Sequence, residues 1–192
     1  MLEWAQLSLR ELKDFLRMVD KTLKTEAHVV FVGGAAVQLL CPDKPHPTRD
    51  IDTLTQDGLL VMRTIASARR PPIDINLRSA IFDAFLPEDW LEHARKVYQG
   101  PKGRLHVSVP CPEDLAIMKM FRMGAKDSED IFRLVKLDGF DRDRFVDGFI
   151  ETLPRALGSF RLHAQSFALT WNKLYPDKLL SIEELLRRAS LN

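Results

Sequence analysis

The stretch VGGAAVQLLCPDKPHPTRDID, residues 32–52, decides the reading of this 192-residue chain. Val29-Val30-Phe31-Val32 is a short continuous apolar run, as a buried strand requires, and it ends on Gly33-Gly34. Ala35-Ala36-Val37-Gln38-Leu39-Leu40 then reads as a short helix. A strand, a Gly-Gly corner and a helix N-terminus let backbone N–H groups approach a phosphate closely, with the helix dipole adding partial positive charge. Asp50 and Asp52 flank Ile51 at the start of the next apolar run, and strand positions i and i+2 share a face at roughly 6–7 Å. Like charges on one face repel, and a cation relieves the repulsion. Carboxylates so placed can hold one or two Mg2+ ions, the usual companion of a nucleoside triphosphate. A Gly-Gly pair alone is also a ligand-free turn, and an acidic pair alone is also a solvated strand edge. Their succession is what points to a phosphate cradle beside a metal clamp, the minimum for phosphoryl or nucleotidyl transfer.

This order of residues resembles the signature of the nucleotidyltransferase superfamily (the polymerase-beta-like fold): Gly-Gly or Gly-Ser, a spacer, then Asp-hydrophobic-Asp. The spacer here, Ala35 to Arg49, is 15 residues and longer than is usual there. The excess falls in Cys41-Pro42-Asp43-Lys44-Pro45-His46-Pro47, a Pro-rich loop where insertion costs little. A second stretch, Pro112-Glu113-Asp114-Leu115-Ala116-Ile117-Met118-Lys119 followed by Lys126-Asp127-Ser128-Glu129-Asp130-Ile131, resembles the helical part of small bacterial nucleotidyltransferases, including the AbiE-type toxins. The resemblance spans residues 28–137.

It implies a division of labour. Gly33 and Gly34 would orient phosphates, Asp50 and Asp52 bind Mg2+, and Lys119 steady the triphosphate of an NTP. Asp74, in the alternating run Ile73-Asp74-Ile75-Asn76-Leu77, would complete the site and accept the proton of the attacking hydroxyl. Asp74 is equally readable as an edge-strand acid balanced by Arg78, and Asp83 stands in reserve. Arg49 either touches a phosphate or pairs with an acid. Lys119, Arg122 and Lys126 share a helix face, which is also what a solvated stripe looks like. Asp127 and Asp130 favour a helix N-terminus, and Asp127 is a candidate to orient Lys119 or the nucleotide. By the same resemblance the acceptor is a tRNA and the partner a cognate antitoxin. The alternative is a nucleotidyltransferase-like domain that binds a nucleotide or a protein without turnover. A third option is a helical interaction module over 142–190.

Outward from these motifs, the chain divides into a strand-and-helix part, 1–111, and an all-helical part, 112–192. The fold class is therefore α/β (α+β): a mixed sheet flanked by helices, then C-terminal helices expected to pack on it. Ser8-x-x-Glu11 is a capping box that opens an amphipathic helix to about residue 24. Strands are expected at 28–32, 51–55, 73–77 and 104–109, and helices at 35–40, 58–68 and 85–98. Further helices are expected at 112–123, 127–137, 142–156, 159–174 and 181–190.

Several chemistries are excluded. There is no G-x-x-x-x-G-K-[ST] and no G-x-G-x-x-G after the strand. None of the five histidines forms H-x-x-x-H or H-E-x-x-H, so a zinc site is not expected. No serine lies in G-x-S-x-G. Twenty-eight Lys and Arg against 27 Asp and Glu give no global pull toward polyanions. Locally, residues 93–126 carry seven bases against two acids, and the loop Gln99–Gly103 could hold RNA phosphates if it lies beside the aspartates. No apolar run reaches the ~20 residues a membrane span needs. The N-terminus lacks a signal-peptide layout. The two cysteines, Cys41 and Cys111, are far apart and without ligand neighbours, so a reduced cytoplasm is the expected setting.

Overall fold

The computed structural model describes residues 6–43, 47–78, 83–122, 124 and 126–190. Residues 44–46 of the Pro-rich spacer, Met123 and the side chain of Asp83 lie outside that description. The chain forms two compact units. The first comprises residues 1–79 and 91–111, the second residues 80–90 and 112–192. The segment 80–90, which the sequence division leaves with the strands, clusters with the helices.

The first unit opens with α1 (Leu9–Thr22), whose capping box is complete: Ser8 and Glu11 each bond the other's backbone N–H. Leu12, Phe15, Leu16 and Val19 bury its apolar stripe. Then follow β1 (Ala27–Val32), α2 (Gly33–Leu40), β2 (Asp50–Thr53), α3 (Leu59–Ala68), β3 (Asp74–Leu77), β4 (Arg95–Gln99) and β5 (Leu105–Val109). The five described strands lie in the order β3-β2-β1-β5-β4. β1 runs parallel to β5 and antiparallel to β2, β2 runs parallel to β3, and β4 is antiparallel to β5. β1 is central, and its run Val29–Val32 is buried, as a strand covered on both faces demands. This is the mixed sheet flanked by helices that the sequence announces.

One element differs. Residues 85–98, expected as a helix, begin with a 3-10 turn at Asp83–Phe85, pass through turns, and end in β4. Leu86, Trp90, Leu91 and Ala94 recur at helical spacing, yet Leu91 is 63% exposed. Leu86 is buried and Trp90 and Ala94 are half-buried, so these positions do not form one buried helical face. The stronger signal was the turn Gly100-Pro101-Lys102-Gly103 between two strand-forming runs, which makes β4 and β5 a hairpin. Asp20 secures that hairpin. It is fully buried on α1, and its carboxylate accepts the backbone N–H groups of Lys102, Arg104 and Leu105 at 2.7–3.0 Å. Burial pushes the Asp20 carboxyl up, but these donors outweigh it and hold it below the usual carboxylate range. Gly100 passes so close that a Cβ there would lie 2.1 Å from the Asp20 carboxyl carbon.

The second unit holds α4 (Pro112–Arg122), α5 (Asp127–Leu134), α6 (Arg142–Thr152), α7 (Phe160–Leu174) and α8 (Ile182–Arg188). Phe145, Phe149, Phe167 and Trp171 form its buried aromatic core, with Phe149 and Phe167 stacked at 4.0 Å. Among the described residues, no helix is long and apolar enough to cross a membrane.

Candidate functional site

The antiparallel register places Asp52 beside Val32, the last residue before the Gly-Gly corner. Gly33 begins α2 with φ +66°, a left-handed conformation that side chains resist. A Cβ on Gly33 would stand 2.9 Å from Asp52 Oδ2, and one on Gly34 would stand 2.6 Å from Thr48 Oγ1. The glycines thus admit Asp52 and Thr48 against the helix start. The N-cap residue Val32 has no side-chain acceptor for α2, and the start of a helix is where anions are favoured.

Thr48 was not legible as a site residue. It is buried, pinned by a two-way backbone bridge to Leu7, and its hydroxyl lies 3.3 Å from Asp50 Oδ1. Gln38 of α2 donates to the same Leu7 carbonyl at 2.9 Å. Position 48 reads in sequence as the end of a Pro-rich loop. Only the bridge to residue 7, distant along the chain, shows that it buttresses Asp50.

Asp50 and Asp52 point to one face of β2. Across the parallel pair Asp50 is matched to Asp74 and Asp52 to Asn76, which brings a third carboxylate onto that face at the ~4.8 Å spacing of neighbouring strands. Asp52 is 5% exposed, Asp50 half-buried and Asp74 exposed, with Asn76 donating to Asp74 Oδ2 at 3.3 Å. The carboxylate oxygens of the three do not all come within 4.8 Å of one another. Arg78, just past β3, pairs through Nε with Asp52 Oδ1 at 3.2 Å while remaining 41% exposed on its side chain. In sequence Arg78 was matched with Asp74; the structure pairs it with Asp52. An all-oxygen donor set suits a hard ion such as Mg2+, and the helix start beside it suits the phosphate that such an ion accompanies. Arg49 is exposed, next to Asp50.

Lys119 and Asp127 lie in the second unit. Lys119 is 2% exposed, with Nζ 3.0 Å from Asp127 Oδ1 and 2.7 Å from Asp130 Oδ2. Asp127 Oδ2 also accepts the Gly124 N–H at 2.7 Å and approaches Arg122 Nε at 3.3 Å. Asp127 therefore orients Lys119, and Lys119 and Arg122 together offset the two carboxylates where α4 meets α5. The Pro-Glu-Asp-Leu motif has structural work as well. Glu113 Oε1 accepts the N–H of Asp141 at 2.7 Å, ahead of α6. Asp114 is fully buried and binds Arg144 Nη2 with both oxygens, while Arg144 also forks onto Asp89.

The basic loop at 100–103 does not border the aspartates. Ala27 is matched to Leu105 at the start of β1, whereas the Gly33 corner follows its end, about 16–20 Å away along the strand. Arg104 is spent on the carbonyl of Leu23 at 2.6 Å.

No curated protein and no solved structure matches the chain. A family model does, and over most of its length. Residues 8–145 match the family described as nucleotidyltransferase of unknown function (DUF6036), and with its Gly-Gly corner and acidic strand pair inside that span the chain belongs to this family.

Proposed function

We propose that the protein transfers a nucleoside monophosphate from an NTP to an acceptor hydroxyl in a Mg2+-dependent reaction. The observation that carries this reading is the register that aligns Asp50 and Asp74 on the face where Asp52 meets the Gly33 corner. Asp50 and Asp52 would hold one or two Mg2+ ions, which supply charge neutralisation on the attacking and leaving oxygens of an in-line displacement. The N–H groups at the start of α2 orient the triphosphate, Arg49 and Arg78 offer charge beside it, and the exposed Asp74 takes the proton of the acceptor hydroxyl. Lys119 and Asp127 contribute by holding α4 and α5 in place. A tRNA acceptor and an antitoxin partner follow from the resemblance of residues 112–131 to the AbiE-type toxins. Cys41 and Cys111, both buried and outside any disulfide, fit a reducing cytoplasm. The test is incubation with each α-labelled NTP, total RNA and cell extract, with Mg2+ or with chelator. Label should enter one macromolecule in the presence of Mg2+ only, and Asp50→Asn with Asp52→Asn should abolish it. Transfer that persists in the double variant refutes the reading.

A second reading has one observation of its own. Arg78 already neutralises Asp52, as it would in a module that binds nucleotide without turnover. Calorimetry separates the two, because nucleotide binding indifferent to Mg2+ favours the silent module.

A further inference from the structure

At the other end of β1 stands a cluster that nucleotidyl transfer does not use. His28 on β1 and His106 on β5 are register partners in the parallel pair, so their side chains share a face. Their rings stack with centroids 4.7 Å apart and planes 12° apart. Both turn Nε2 toward the same atom, Glu26 Oε1, at 3.1 Å and 2.9 Å. The Gly103 carbonyl oxygen lies 3.1 Å from His106 Nε2. Among the described residues, Glu26, His28 and His106 are the one group of three potential metal ligands whose donor atoms all lie within 4.8 Å of one another.

We propose that Glu26, His28 and His106 form a binding site for a zinc-class transition ion. Metal–ligand bonds of about 2.0–2.2 Å in tetrahedral geometry separate neighbouring donors by about 3.3 Å, so the two Glu26–histidine distances need to open by a few tenths of an ångström, and the stacked surface rings must tilt so that their in-plane Nε2 lone pairs meet on one ion. An ion there takes the Nε2 lone pairs of two neutral rings and one carboxylate oxygen. Glu26 and His28 are exposed and His106 half-buried, which leaves the fourth position open to water. Two imidazoles select zinc, copper or nickel over Mg2+, the reverse of the preference of the oxygen-only aspartate corner. His28 precedes Gly33 by five positions along β1, about 16 Å, so the ion does not touch a phosphate at that corner. It fastens the start of β1, and the residue just before it, to β5. A search for H-x-x-x-H fails here because the sheet register, not local spacing, assembles the ligands.

The experiment uses tag-free, chelator-stripped full-length protein, titrated with zinc in excess Mg2+ against a chromophoric chelator. One zinc should bind per chain, and X-ray absorption should count two imidazoles. Losing a residue that merely supports a ligand costs about 10–100-fold in affinity, so H28Q and H106Q should each weaken binding by on the order of a hundredfold. D50N with D52N should leave it unchanged. His28 and Glu26 are surface residues, so H28Q and E26Q test the idea without disturbing the core, and their zinc-free melting curves should match the parent. Absence of binding, binding that H28Q and E26Q leave intact, or binding abolished by D50N with D52N overturns the proposal.

Discussion

Gly33→Ala probes the geometry on which the proposed chemistry rests. Two costs add. A non-glycine residue held near φ +66° costs about 1–2 kcal/mol. The new methyl would also stand 2.9 Å from Asp52 Oδ2, so the carboxylate must turn while Arg78 holds its other oxygen, at about 0.5–1.5 kcal/mol for a distorted rotamer. The sum is about 2–3 kcal/mol, or about 2–4 °C of melting temperature for each kcal/mol in a chain of this length. Gly103→Ala is the control in the same unit: φ is +67° and nothing lies within 4 Å of the added carbon, so it carries the conformational cost alone. A double-mutant cycle with Asp52→Ala isolates the second cost, because without the carboxylate the methyl has no close neighbour among the atoms it now meets. Denaturant unfolding of the four proteins should give a coupling of about 1 kcal/mol between positions 33 and 52. If Gly33→Ala costs no more than Gly103→Ala and shows no coupling, the corner does not touch Asp52 and the proposed cradle loses its geometry.

Other outcomes follow from the same coordinates. Asp74→Asn should lower labelled transfer by about 10²–10⁴-fold, the range of a general base, with nucleotide binding by calorimetry little changed. Asp20→Asn should destabilise the first unit by on the order of 3 kcal/mol at neutral pH, because three charge-assisted N–H bonds weaken together. The Asp20 carboxyl titrates below its usual value when folded, so its contribution is complete above about pH 4 and fades as pH falls through the lower folded value. Unfolding curves of parent and variant should therefore converge in acid. Lys119→Met should cost about 3–5 kcal/mol, because Asp127 and Asp130 would lose their one buried cation and keep only the outlying Arg122 and Arg133 guanidiniums. Adding Asp127→Asn and Asp130→Asn should recover most of that loss in thermal denaturation.

Much of the fold was legible because local chemistry and burial agree. The capping box at Ser8 and the continuous apolar run of β1 each name their element, and both are observed. Residues 85–98 failed for an identifiable reason. Apolar spacing of three and four measures only a stripe's existence, and a helix forms only where that stripe finds a surface to cover. Here the hairpin turn beyond it finds one first, by pairing with β5 and by lodging against Asp20. Asp20 itself left a trace. It follows Leu16 by four residues, inside the buried stripe of α1, where an acid is out of place unless donors await it. What the sequence cannot supply is that the donors come from residues 102–105, brought there by tertiary structure.

The candidate site divides along the same line. Gly33, Asp50 and Asp52 were readable because their roles are local: a corner, and two positions on one strand face. Thr48, Arg78 and the match of Asp50 with Asp74 depend on which strand lies beside which, and no local pattern encodes register. Lys119 shows the converse hazard. Its face shared with Arg122 and Lys126, together with the family resemblance, fitted a phosphate-binding role, yet in the fold Asp127 and Asp130 enclose it. Freeing Lys119 for a triphosphate would strand two buried carboxylates, so the same spacing that made it look like a ligand contact describes an internal brace. The charges with access to substrate are the exposed ones, Arg49, Asp74 and the partly exposed Arg78. Arg78→Ala therefore distinguishes the two readings of the corner. If the protein is a transferase, Arg78 and Mg2+ share Asp52, and removing the guanidinium should strengthen Mg2+ binding by about 10-fold, at a differential of ~1.4 kcal/mol. Unchanged Mg2+ affinity would mean that Asp52 belongs to its arginine and not to a metal.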